Sequence, residues 1–153
     1  IHNLAKACGY LGMVGGQIED INSENTKTVE ALDKMHSQKT GRLIQSSLET
    51  SGILSGLDPS EIEALSRYGE KIGLAFQIQD DIIDIESPSS ISGKDQGSDL
   101  GLDKITYPSI VGLEESRDKA RELAEQAKEI LHLSNKNTDN LSKLADYIIQ
   151  RET

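Results

Sequence analysis

The sequence predicts an all-α fold. Apolar residues recur at helical spacing through five stretches, and one of these runs unbroken from about Pro59 to Glu86. The intervals between them hold the polar and turn-forming residues that end helices. No internal repeat is evident, and 153 residues suffice for one domain, 1–153, with a real core.

Residues 1 to about 21 read as one helix, with Leu4, Ala7, Leu11, Val14 and Ile18 at helical spacing. Gly9, Gly12, Gly15 and Gly16 each cost up to about 1 kcal/mol of helix propensity relative to alanine. Their concentration predicts close approach of another backbone or a ligand. Gln17 and Asp20 share the Gly16 face; an ordinary polar helix end remains open for Asp20.

Asn22 to Thr28 is a polar connection. A second helix, from about Val29 to Leu54, is carried by Leu32, Met35, Leu43, Ile44 and Leu48. His36, Lys39 and Thr40 stand at i, i+3 and i+4 on it and cluster on one face. A lone lysine is usually a solvated charge; here a hydroxyl and an ammonium sit beside Gly41, which opens space for a bulky ligand. His36 reads as a packed or hydrogen-bonded histidine. A turn with Gly52 and Gly56 follows. Asp58-Pro59-Ser60-Glu61 then starts a helix: N-cap, proline at the first position, glutamate at the third.

That third helix carries Asp80, Asp81 and Asp84. At roughly 100° per residue, Gln77, Asp80, Asp81 and Asp84 fall on one narrow stripe. Ile72, Ala75, Ile78, Ile82, Ile83 and Ile85 occupy the other faces, so the helix should be buried and the stripe should face an internal cavity. Buried carboxylates need compensating charge. No Lys or Arg lies within four residues of the three acids, and clustered oxygen ligands suit a hard divalent cation. A solvated acidic face is the bland alternative; the apolar surroundings favour metal and phosphate binding.

Pro88 ends this helix near Glu86. Ser87 to Pro108 is a Gly/Ser-rich loop with Lys94 and Lys104, long enough to be a lid over a charged substrate. A helix from about Ser109 to Leu133 has Leu113, Ala120, Leu123, Ala124, Ala127, Ile130 and Leu131 on one face and charged residues on the other. Ser134 to Thr138 is a turn, and Asp139 caps a last helix with Leu141, Leu144, Ala145 and Ile148. These two helices read as structural.

The net charge of −10 and pI near 4.7 argue against nucleic-acid binding, as does the 3% aromatic content without Trp. A single cysteine, Cys8, excludes an internal disulfide, fits a reducing cytoplasm and reads as a small buried helix residue. No apolar run is long enough to span a membrane, and the start has no signal-peptide layout.

Phe76-Gln77-x-x-Asp80-Asp81-x-x-Asp84 resembles the second aspartate-rich motif of the trans-isoprenyl diphosphate synthases, the farnesyl and geranylgeranyl diphosphate synthase family. The likeness also includes Gly12-Met13-Val14-Gly15-Gly16-Gln17, His36-Ser37-Gln38-Lys39-Thr40-Gly41, Gly93-Lys94-Asp95-Gln96-Gly97-Ser98-Asp99 and Lys104-Ile105-Thr106-Tyr107-Pro108. The end, Leu144-Ala145-Asp146-Tyr147-Ile148-Ile149-Gln150-Arg151, is similar to the bacterial farnesyl (geranyltransferase) branch.

The resemblance implies a helical bundle of the isoprenoid synthase type, here its C-terminal part with the lid loop, because the first aspartate-rich motif is not in this sequence. It implies a prenyltransferase: magnesium-dependent, or manganese-dependent, head-to-tail condensation of an allylic diphosphate (dimethylallyl or geranyl) with isopentenyl diphosphate. Asp80, Asp81 and Asp84 would bind metal. Lys39, Thr40, Gln77 and Lys94 would be catalytic, and Gln17, Lys39, Lys94 and Lys104 would contact substrate, with Lys104 equally readable as a surface residue. A homodimer and a cytoplasmic setting are implied as well. A non-catalytic synthase-like partner subunit and a class I terpene cyclase are the alternatives.

Overall fold

The structure, a computed structural model, describes residues 1–22, 28–86, 105–132 and 136–152. Among these residues there is helix and no strand. The chain order is α1 (His2–Cys8), α2 (Met13–Ile21), α3 (Val29–His36), a π-helical turn (Ser37–Gly41), α4 (Arg42–Leu54) and α5 (Pro59–Glu86), followed by α6 (Tyr107–Val111), α7 (Leu113–Leu131) and α8 (Asp139–Gln150).

The long helix α5 is the axis. Asp58 starts it as expected: its Oδ1 accepts from Ser60 Oγ at 2.7 Å and the Glu61 amide at 3.4 Å, while its own amide donates to Glu61 Oε2. On one side Ala75, Ile78 and Ile82 pack with Leu32 and Met35 of α3, Tyr107 of α6, and Ala120 and Leu123 of α7. Toward its start, Tyr68 and Ile72 pack with Ala124, Ala127, Ile130 and Leu131 of α7 and Ala145 and Ile148 of α8. Each buried Leu or Ile contributes roughly 1.5–3 kcal/mol.

Four features differ from the sequence reading. The predicted first helix is two, α1 and α2, separated by the Gly9–Gly12 stretch. The second stretch keeps its length but contains the π-helical turn. The predicted Ser109–Leu133 helix starts earlier and breaks at Gly112, whose φ of 94° lies where residues with a β-carbon are strained. The cap of α8 is Thr138 rather than Asp139, and the Asp139 amide donates to Asn137 Oδ1.

The apolar face expected to bury the first stretch does so only at Ala7. Leu4, Leu11, Val14 and Ile18 are exposed, and Cys8 is partly buried. A polar chain holds α1 against the bundle instead. Asn3 donates to Glu49 Oε2, Ser66 Oγ to Glu49 Oε1, and Gln45 Nε2 to Ser66 Oγ. No described helix is long and apolar enough to cross a membrane.

Candidate functional site

Two close backbone crossings build the site. A β-carbon placed on Gly16 of α2 would lie 2.3 Å from the Lys39 amide nitrogen, and one on Gly73 of α5 would lie 2.7 Å from Gly41 Cα. The first fulfils the expectation that the glycine-rich stretch admits another backbone. In the second, the missing side chain of Gly73 lets α5 close onto the Gly41 backbone, whereas a β-carbon on Gly41 itself would meet only Ser37 and His36 of its own turn at 3.7 Å or more. Together they hold the Lys39–Thr40 segment between α2 and α5, one turn ahead of Gln77. The π-helical turn over Ser37–Gly41 is the wide geometry that recurs at functional sites. Helical spacing alone did not reveal it.

Lys39 Nζ donates to Asp20 Oδ2 at 2.6 Å, with both side chains partly buried. Thr40 is partly buried, whereas Gln17 is exposed on α2. Gln77 is buried and its Nε2 lies 3.4 Å from Asp80 Oδ2. Lys94, Lys104 and residues 87–104 of the expected lid loop fall outside the described residues, and its last two residues, Tyr107 and Pro108, are already in α6.

The acidic stripe is not uniform. Asp81 is turned into the core: it is 6% exposed, and its Oδ2 accepts the Tyr107 amide at 2.9 Å. The same oxygen lies 3.4 Å from Nε2 of His36, which is buried and stacks on the Tyr107 ring with centroids 6.4 Å apart. Tyr107 in turn donates its hydroxyl to Asp33 Oδ1. Burial first, then the Asp33 hydrogen bond and the surrounding acids, push the Tyr107 phenol far above its ordinary range. Asp81 thus ties α3, α5 and α6 together, and His36 is the packed histidine expected of it.

Asp80 sits at the rim with 47% of its side chain exposed, and it does not lack a basic partner. Arg151, seventy-one positions along the chain, pairs with Asp80 Oδ1. The sequence reading missed this because it searched within the helix, and because it took α8 as purely structural. Asp84 is partly buried one turn beyond Asp80. The described residues contain no cluster of three or more His, Cys, Asp or Glu arranged to hold a metal ion. The chemistry of the donors still discriminates among the three acids. Asp80 already faces a cation, in the form of a guanidinium, and Asp84 shares its side of α5; Asp81 is committed to the core. Asp80 and Asp84 therefore fit a divalent cation and Asp81 does not. A cavity of about 220 Å³ lies between α1 and α4, lined in part by Lys6, Arg42, Ser46 and Glu49, and none of the three acids borders it.

Residues 3–148 match the family described as polyprenyl synthetase. The chain is 44% identical over 157 aligned residues to the farnesyl diphosphate synthase of Escherichia coli (strain K12), spanning 99% of this chain and 52% of that protein. Among solved structures, the geranylgeranyl pyrophosphate synthetase of Geoglobus acetivorans superposes with a TM-score of 0.83 at 31% identity, over 98% of this chain and 56% of that one. The geranyltransferase of Helicobacter pylori, solved with magnesium and isoprenyl diphosphate, superposes with a TM-score of 0.78 at 29% identity, over 97% of this chain and 49% of that one. The chain thus spans about half the length of these relatives.

Proposed function

This chain belongs to the polyprenyl synthetase family, and from that premise we propose that it forms the metal- and diphosphate-binding half of a prenyl-elongating site. The reaction is head-to-tail condensation: the allylic C1–oxygen bond breaks, a carbon–carbon bond forms to isopentenyl diphosphate, and a proton leaves to the released diphosphate. The observation that carries the reading is the rim carboxylate of Asp80, half exposed and already engaged with a cationic group. A relative solved with magnesium and isoprenyl diphosphate supports the same ligand chemistry.

In this reading Asp80 and Asp84 would hold magnesium, or manganese, through hard oxygen donors. A cation there supplies Lewis-acid stabilisation of the departing diphosphate. Lys39 adds positive charge toward the same phosphates, with Lys94 and Lys104 as further candidates. Gln77, Thr40 and Gln17 offer dipoles to the developing allylic cation. Asp81 contributes indirectly, by holding α6 and His36 against α5. The named relatives are prenyl diphosphate synthases, so neither a terpene cyclase nor a non-catalytic partner is favoured. A homodimer and a cytosolic setting are part of the proposal, supported by the resemblance and by the single cysteine.

The test is thermal unfolding with magnesium and inorganic pyrophosphate. Binding to the native state alone raises the melting temperature. Asp80→Ala should abolish that rise. Asp146→Ala should keep it, because Asp146 pairs with Lys128 on the far helices at 2.8 Å. Identical curves with and without ligand would refute a formed half-site. Incubation with isopentenyl and geranyl diphosphate then reports whether the chain elongates a prenyl unit.

A further inference from the structure

We propose that Arg151 is a built-in competitor at this site: its guanidinium occupies the Asp80 carboxylate at the rim and must yield it when a divalent cation binds. The inference rests on reading Asp80 as a cation ligand and adds a residue seventy-one positions further along the chain.

Four contacts seat Arg151 on α5. Its Nη2 pairs with Asp80 Oδ1 and lies 3.3 Å from the Phe76 carbonyl oxygen. Its guanidinium carbon stands 4.1 Å from the centroid of the Phe76 ring, a cation–π stack. Its own carbonyl accepts Gln79 Nε2 at 3.0 Å. Three residues of the motif helix, Phe76, Gln79 and Asp80, thus grip one arginine just past the end of α8.

The seat is asymmetric. The arginine side chain is 13% exposed and that of Asp80 is 47% exposed, so a cation from solvent can reach the carboxylate while the arginine lies behind it. The seat is also incomplete, because Arg151 Nε is buried without a hydrogen-bond partner among the described residues. Buried donors of a purely structural arginine are normally satisfied. A divalent ion and a guanidinium on one carboxylate repel each other, so occupancy by one weakens the other. Asp81 has separate partners in Tyr107 and His36 and takes no part in the exchange.

The experiment is calorimetric titration of magnesium with inorganic pyrophosphate into the wild-type chain, Arg151→Ala, Arg151→Lys and Asp80→Ala. Losing the competing ion pair and ring stack should tighten binding to Arg151→Ala by about three- to tenfold. Arg151→Lys retains the charge and should bind close to wild type. The side-chain Nε–Hε resonance of Arg151 should shift as wild type saturates. Equal or weaker binding to Arg151→Ala overturns the proposal while leaving the reading of Asp80 intact. Binding to Arg151→Ala but not to wild type supports both. No binding to either, with Asp80→Ala equally silent, overturns both. Arg151→Gln gives the same comparison if truncation to alanine costs the fold.

Discussion

Lys39 Nζ lies 2.6 Å from Asp20 Oδ2, so the lysine assigned to the diphosphate already has a carboxylate partner from α2. Asp20 steers the ammonium and also repels an incoming anion. Asp20→Asn should therefore strengthen pyrophosphate binding by about threefold, the scale of a partly exposed ion pair. Lys39→Met should weaken it by about tenfold, the scale of one charge-assisted hydrogen bond. Calorimetry separates the outcomes. Weaker binding to Asp20→Asn would mean that the aspartate positions the lysine without competing for it.

Asp81 and Asp80 are neighbours in sequence and should respond to substitution in opposite ways. Asp81→Ala leaves the Tyr107 amide buried without its acceptor, a loss of about 2–3 kcal/mol. Asp80→Ala removes a rim group whose ion-pair partner among the described residues is Arg151, and it should cost less than about 1 kcal/mol. Urea denaturation of the two variants gives the comparison. Greater destabilisation from Asp80→Ala would contradict the division of the acidic stripe.

Sequence periodicity identified the long α5, and Asp58-Pro59-Ser60-Glu61 identified its start, because that segment acts through local backbone chemistry. It also identified the buried face of α7, a repeat at 3.6-residue spacing. It could not find Arg151 on Asp80, since that contact depends on where α8 ends against α5. Tyr107 was missed although its signal was present. Thr106-Tyr107-Pro108-Ser109 has a cap, a proline and a serine that accepts the Thr106 amide at 3.0 Å. The π-helical turn at Ser37–Gly41 answers to the Gly41–Gly73 crossing, a tertiary demand with no local pattern.

That crossing gives a further prediction. A β-carbon at position 73 would meet Gly41 Cα at 2.7 Å, and backbone on both sides leaves little room to yield. Gly73→Ala should destabilise the fold by about 1–3 kcal/mol despite the helix propensity that alanine adds. Because the crossing also positions Lys39, the variant should lose pyrophosphate binding beyond what its stability explains. A Gly73→Ala protein as stable as wild type would show that α5 and the π-helical turn are less closely packed than described.

Tyr68 provides a pH test of the core beneath α7 and α8. It is fully buried among Ile72, Ala124 and Ile148 of its cluster, its hydroxyl donates to the Leu141 carbonyl at 2.8 Å, and burial pushes its pKa up to about 12. The unfolded phenol ionises near 10. Between these values the folded chain keeps a proton that the unfolded chain has released, so stability must fall as pH rises. The contribution is intact below about pH 10 and is lost by about pH 12, on the order of 2 kcal/mol for this tyrosine. Tyr107, pushed still higher, extends the decline beyond that range. Tyr68→Phe sacrifices the hydrogen bond, about 1 kcal/mol at neutral pH, but has no proton to lose. Its stability should therefore descend less steeply than that of wild type from pH 10 upward. Melting temperatures of both proteins from pH 8 to 12 provide the measurement. Parallel curves would mean that the Tyr68 hydroxyl titrates in the folded state as freely as it does in the unfolded chain.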